Sequence, residues 1–175
     1  MENEKNNDKL FEILLTITSI PKNLITIHGL ENMTEFLLHN LSHKECFNFS
    51  KSAYFVDNPD FNFLKGIAGF DATQAYQPDR NHWQEQEAFS NHMKQDKFNN
   101  QVRQVCHCSI KKNGKSPDDV VQEIADVLQF ENPDYLMWPV KYENQGLLVF
   151  EKTVSNDTTQ HLENALHLFG FCPIF

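Results

Sequence analysis

Arginine is almost missing from this chain of 175 residues; Arg80 and Arg103 are the two that occur. Nucleic-acid surfaces gather Lys and Arg, because neutralising phosphates supplies most of the affinity. With a net charge of −9 and no basic block, nucleic acid is not an expected partner. The acidic balance suits a protein partner, a basic one by complementarity, although it also serves simply to keep a chain dispersed. Glycine and proline are scarce, at 6 and 7 residues, which argues against a linker-rich or low-complexity chain. Cysteine is limited to positions 46, 106, 108 and 172. Such irregular spacing in a chain this long reads as reduced thiols, not as a disulfide framework.

Long apolar runs are missing too. The stretch from Leu10 to Ile20 is too short to span a bilayer. Glu2, Glu4 and Asp8 precede it and Pro21-Lys22-Asn23 follows, which are the wrong flanks for a secretory leader. The expectation is a cytoplasmic protein with no membrane partner.

Fifteen phenylalanines offset a hydrophobic fraction of 40%. A chain of this length buries roughly 70% of its unfolded surface and needs neither metal nor disulfide to fold. Its clearest element runs from Tyr135 to Lys152. Two apolar runs flank the polar segment Glu143-Asn144-Gln145-Gly146, a β-hairpin pattern. Leu147 to Phe150 is apolar throughout, which predicts a strand covered on both faces. Pro139 lacks an N–H and places the first strand at an edge.

Upstream, residues 1–9 read as a disordered lead-in and 10–20 as a short amphipathic helix stopped by Pro21, within which Ile13–Ile17 could also serve as a strand. Leu24–His28 reads as a strand ended by Gly29, and Asn32, Thr34 and Glu35 open a helix. Ser52–Val56 reads as a strand, Asp57-Asn58-Pro59-Asp60 as a turn, and Phe61–Phe70 as a second strand or loop bent near Gly66 and Gly69. Residues 71–81 form a long polar loop, and a helix follows over 82–98. Val102–Ile110 alternates as a strand. Ser116-Pro117-Asp118-Asp119 starts a helix, with Ser at the N-cap and acids at the positive end of the dipole. Asp157 with Gln160 opens the last helix, Gly170 caps it, and Phe171–Ile174 reads as a final strand.

The class is α+β: one compact domain, 10–175, with an antiparallel or mixed sheet and helices packed on it. Its C-terminal half reads β-α-β-β-α-β, a ferredoxin-like order. The first half reads similarly enough for two comparable halves, 22–100 and 101–175, although no residue-level repeat supports a duplication.

Three constellations bear on chemistry. Cys106-His107-Cys108 carries metal-ligand residue types, but on a strand the two Cys share one face and His107 takes the other. His43 and Cys46 have a better spacing and would complete four ligands if the fold brought the pairs together. Two small buried thiols on a core face is the plainer account. Ser109–Ser116 resembles a phosphate-binding loop with its first Gly replaced by Ser. Asp118 and Asp119 stand where phosphates would lie, so a tight turn before an N-cap explains it better.

The third constellation is the gathering of Asp57, Asp60, Asp71, Asp79, His82, Glu85 and His92 around the long loop. Glu85 and His92 fall on one helix face, and His92 pairs with Asp96 at i,i+4. Carboxylates and His can hold a divalent cation or exchange protons, and more often form a solvated polar face.

No motif assigns a catalytic residue or an organic cofactor. The leading expectation is an acidic protein-binding module, of the inhibitor, immunity or adaptor kind, with Asp71, Asp79 and Trp83 on its binding surface. The alternative is a metal-assisted hydrolase built from residues 57–96, with zinc or another divalent ion. His82, Glu85, His92, Cys106 and Cys108 are its metal candidates.

Overall fold

The computed structural model describes residues 2–27, 32–77, 83–152 and 159–173. It is one α+β domain around a five-stranded, fully antiparallel sheet. The strands are β1 (Phe49–Asn58), β2 (Phe63–Asp71), β3 (Cys106–His107), β4 (Asp134–Pro139) and β5 (Gln145–Lys152). Their order is β3-β2-β1-β5-β4. The helices are α1 (Glu2–Thr26), α2 (Met33–Ser42), α3 (Gln86–Gln95), α4 (Lys97–Gln104), α5 (Pro117–Leu128) and α6 (Thr159–Leu166), followed by a 3-10 turn over His167–Phe171.

Alternation along β1 divides the interior. Tyr54 and Val56, with Leu148 and Phe150 of β5, join a core supplied by α1, α2, α3 and α6. Ala53 and Phe55, with Leu147 and Val149, join a second core supplied by α4 and α5. Helices therefore cover both faces, and Leu147–Phe150 is buried on both sides as the unbroken apolar run requires. Pro139 ends β4, which is an edge strand.

Several expectations yield to tertiary packing. The lead-in 1–9 is helical from Glu2, and the helix runs through Pro21 to Thr26, so Leu24 extends a helix and not a strand. Pro21 removes one backbone bond, and Leu24 and Ile27 beyond it are buried in the core, which offsets the loss. His28 and Gly29 lie outside the described residues.

The helix expected over 82–98 is two helices joined at Asp96. The expected strand over 102–110 shrinks to Cys106–His107. Asp96 caps α4 by accepting from Asn99 N–H at 2.7 Å, and Phe98 and Val102 then lie on β2. Gly66 and Gly69 make that contact feasible: a Cβ on Gly66 would stand 1.9 Å from the Val102 carbonyl oxygen. Ile67 is the extra residue of a bulge where the β1–β2 register shifts.

The hairpin turn falls at Tyr142–Glu143. Gly146 instead lies within β5, because the Trp138 indole packs 2.5 Å from where its Cβ would be.

In the C-terminal half the segments follow the expected order through α6. The sheet, however, puts β3 and β4 on opposite edges with both β1 and β2 among the strands between them. A ferredoxin-like layer confined to this half is therefore replaced by one sheet shared by both halves. Of the expected last strand, Phe171 instead ends the 3-10 turn, Cys172 and Pro173 are not in a strand, and Ile174 lies outside the described residues. Gly170 sits inside that turn, with Cys172 as its C-cap, and Phe169 of the turn stacks on Tyr54 at 4.2 Å. Asp157 lies outside the described residues. The Ser116 cap forms as read from the sequence: its Oγ accepts from Asp119 N–H, and the Asp119 carboxylate accepts from Ser116.

Candidate functional site

The β1–β2 hairpin has two ends, and each collects residues with functional potential. Near the end where Lys51 pairs with Asp71 lie four of the expected site residues, Asp71, Trp83, Glu85 and His92. Asp71 is buried and binds its own turn: Oδ1 accepts from Thr73 N–H at 2.8 Å and from Thr73 Oγ1 at 2.6 Å. His92 Nε2 lies 2.9 Å from the Gln74 carbonyl and 3.7 Å from Asp96 Oδ2. Glu85 accepts from the Tyr76 hydroxyl at 2.7 Å. Trp83 is buried, donates to Asn40 Oδ1 at 3.0 Å and stacks on Phe36. Asp79 and His82 lie outside the described residues.

Burial pushes the Asp96 carboxyl above the usual carboxylate range. Asn99 N–H and His92 pull it back and nearby Asp71 adds to the rise. Beside this group, a cleft of about 370 Å³ opens between α1, α2 and residues 75–77, with His39, Asn40, His43, Tyr76 and Trp83 on its walls.

Among the described residues no three His, Cys, Asp or Glu side chains are grouped so as to hold a metal ion. Asp57 sits at the other end of the hairpin, buried, and accepts from Ile110 N–H at 3.2 Å. Cys106 and Cys108 are exposed, and β3 pairs with the far part of β2, at Leu64 and Lys65. Cys46 is buried, and desolvation pushes its thiol up to about 12. In the Ser109–Ser116 segment, Ser116 is spent on its cap and Lys115 on Glu123, so the phosphate-loop resemblance carries no site.

From the opposite end of the sheet the sequence pointed to Asp57 and Asp60 and to none of the aromatic residues. There the β1–β2 turn raises Phe61, which is 76% exposed, while Asn58 Oδ1 accepts from its N–H at 3.0 Å. The β4–β5 turn raises Tyr142, 84% exposed. Tyr142 and Glu143 both have φ +58, the left-handed pair of a I′-type turn, closed by Asn144 N–H to the Lys141 carbonyl. Asn-Gly is the usual occupant of such a turn; a bulky Tyr there costs about 1 kcal/mol. Asp60, Phe61, Lys141, Tyr142, Asn144 and Cys172 border a groove of about 460 Å³. Phe171, one residue before Cys172, is 66% exposed. A sequence signal existed: Phe61 follows Asn58-Pro59-Asp60 and Tyr142 follows Lys141, both aromatics placed in polar turns.

No protein-family model matches the chain, and no curated protein or solved structure matches it. No helix among the described residues is long and apolar enough to cross a membrane.

Proposed function

We propose that the chain is a protein-binding module that engages its partner through the hairpin-tip end of the sheet, with Phe61, Tyr142 and Phe171 as anchors. The observation that carries this reading is Tyr142: a large aromatic held at positive φ on a turn tip, almost fully exposed. Strain of that kind persists where a function selects it. Aromatic side chains around a groove are also the usual anchors of protein interfaces. Around the groove the exposed acids Asp60 and Glu143 outnumber the one exposed base Lys141, and with the net charge of −9 this favours a partner that presents an apolar side chain among basic residues.

The test compares capture of proteins from the native lysate by wild type and by a Phe61→Ser/Tyr142→Ser/Phe171→Ser variant, with far-UV circular dichroism as the check on folding. The expected result is a basic protein held by the wild type in a salt-sensitive manner and lost by the variant. A captured set identical for the two proteins, or no basic protein in the wild-type set, overturns the proposal.

A further inference from the structure

Helix α1 is apolar on two faces. At about 100° per residue, Ile13, Ile17, Ile20, Leu24 and Ile27 point inward and pack in the core over α2. Phe11, Leu14, Leu15 and Ile25 fall within an outward arc of about 100° that also holds Thr18 and Lys22. Phe11 is 62% and Ile25 is 67% exposed, and Leu14 and Leu15 are exposed between them. Half of the large exposed hydrophobics among the described residues are thus on one face of one helix. A helix apolar on both sides is covered on both sides.

We infer that a second copy of this chain covers the outer face of α1, the two α1 helices lying antiparallel about a twofold axis at Thr18. Two features of this face point to that occupant. Phe11 and Ile25 stand seven residues either side of Thr18, so a twofold there sets Phe11 of one protomer against Ile25 of its partner. The charges are also self-complementary. Asp8 and Glu12 flank the first half of the face and Lys22 stands within the second, so antiparallel pairing brings Glu12 within reach of the opposite Lys22 twice. Opposed helix dipoles favour the same arrangement. From Phe11 to Ile25 the face runs roughly 21 Å, about four turns. That length buries less than the roughly 800 Å² per partner of a standard interface, so the dimer is reversible.

The test is the concentration dependence of mass by light scattering and sedimentation equilibrium on the full chain. The wild type is expected to approach twice the 20.4 kDa chain mass. Leu15→Glu is expected to be monomeric; the residue is exposed, so its fold is kept. Glu12→Lys and Lys22→Glu each weaken association several-fold, and the double exchange restores it. A wild type that stays monomeric at roughly 1 mM, where even weak pairs associate, overturns the inference. So does a dimer indifferent to Leu15→Glu, or a double exchange that fails to restore pairing. Phe61, Tyr142 and Phe171 take no part in this surface, so the result is independent of the partner-capture experiment.

Discussion

At the Asp71 end of the β1–β2 hairpin, polar groups turn inward and use one another. At the Phe61 end, aromatic groups turn outward and stay wet. Asp71, Glu85, His92 and Asp96 each have at least one close partner inside the chain. Their chemistry is spent on closing the 72–77 segment and starting α4. Phe61, Tyr142 and Phe171 leave most of their area in water, and Tyr142 adds a left-handed backbone. Burying such a ring would be worth about 2 kcal/mol, so the aromatic end is maintained against stability while the polar end is maintained for it. A group rich in His and carboxylates can thus be scaffolding, and a pair of turns can be the better binding surface.

The sharpest way to break that contrast is Asp96→Ala. It removes the N-cap of α4 and strands the buried Asn99 N–H, for an expected loss of about 2 kcal/mol in urea unfolding. The Phe61→Ser/Phe171→Ser pair should change stability by about 0.5 kcal/mol or less, as exposed positions do. If Asp96→Ala unfolds at the wild-type midpoint, the polar end is not scaffolding and its carboxylate is free for another task.

This contrast also marks what could be read from residues alone. The Ser116 cap, the twice-covered strand Leu147–Phe150 and the edge position of Pro139 follow from local chemistry, and all three stand in the structure. What escaped needed a partner distant in sequence. Val102–Ile110 alternates well enough for a strand, yet Phe98, Val102 and Val105 also have helical spacing. The bare backbone at Gly66 and Gly69 decides for the helix. Gly146 looks like a turn residue until Trp138 is seen lying on it. Pro21 looks like a stop until the core takes Leu24 and Ile27. The polar end drew attention through residue type, whereas the aromatic end exists only once two hairpin tips and the chain's last helical turn meet.

A smaller effect of opposite sign tests the other side of the comparison. Replacing Tyr142-Glu143 by Asn-Gly, through Tyr142→Asn/Glu143→Gly, gives the I′-type turn the residues it favours. The variant should be more stable by about 1 kcal/mol and should lose the captured partner. A gain in stability with capture intact would take Tyr142 out of the interface. A loss of stability would mean that the ring packs more than its exposure indicates.

The smallest expected effect concerns pH. Glu35 and Asp96 are both held above the ordinary carboxylate range, by burial first; Arg103 and backbone N–H groups only partly counter it at Glu35, and Asn99 N–H and His92 only partly at Asp96. In the unfolded chain each ionises at its usual, lower pKa. The folded state therefore binds more protons between the two values. Stability from these groups is full below the ordinary carboxylate range and is lost as pH rises through the elevated folded values. Mild acidification from neutrality should thus raise the urea midpoint, opposite to the usual trend of paired surface carboxylates. Asp96→Asn keeps an acceptor for Asn99 N–H while removing the titration, so it should flatten this slope by on the order of 0.5 kcal/mol across the window. Equal slopes in wild type and Asp96→Asn would show that Asp96 ionises alike in the folded and unfolded chain, its burial fully offset by Asn99 N–H and the other groups around it.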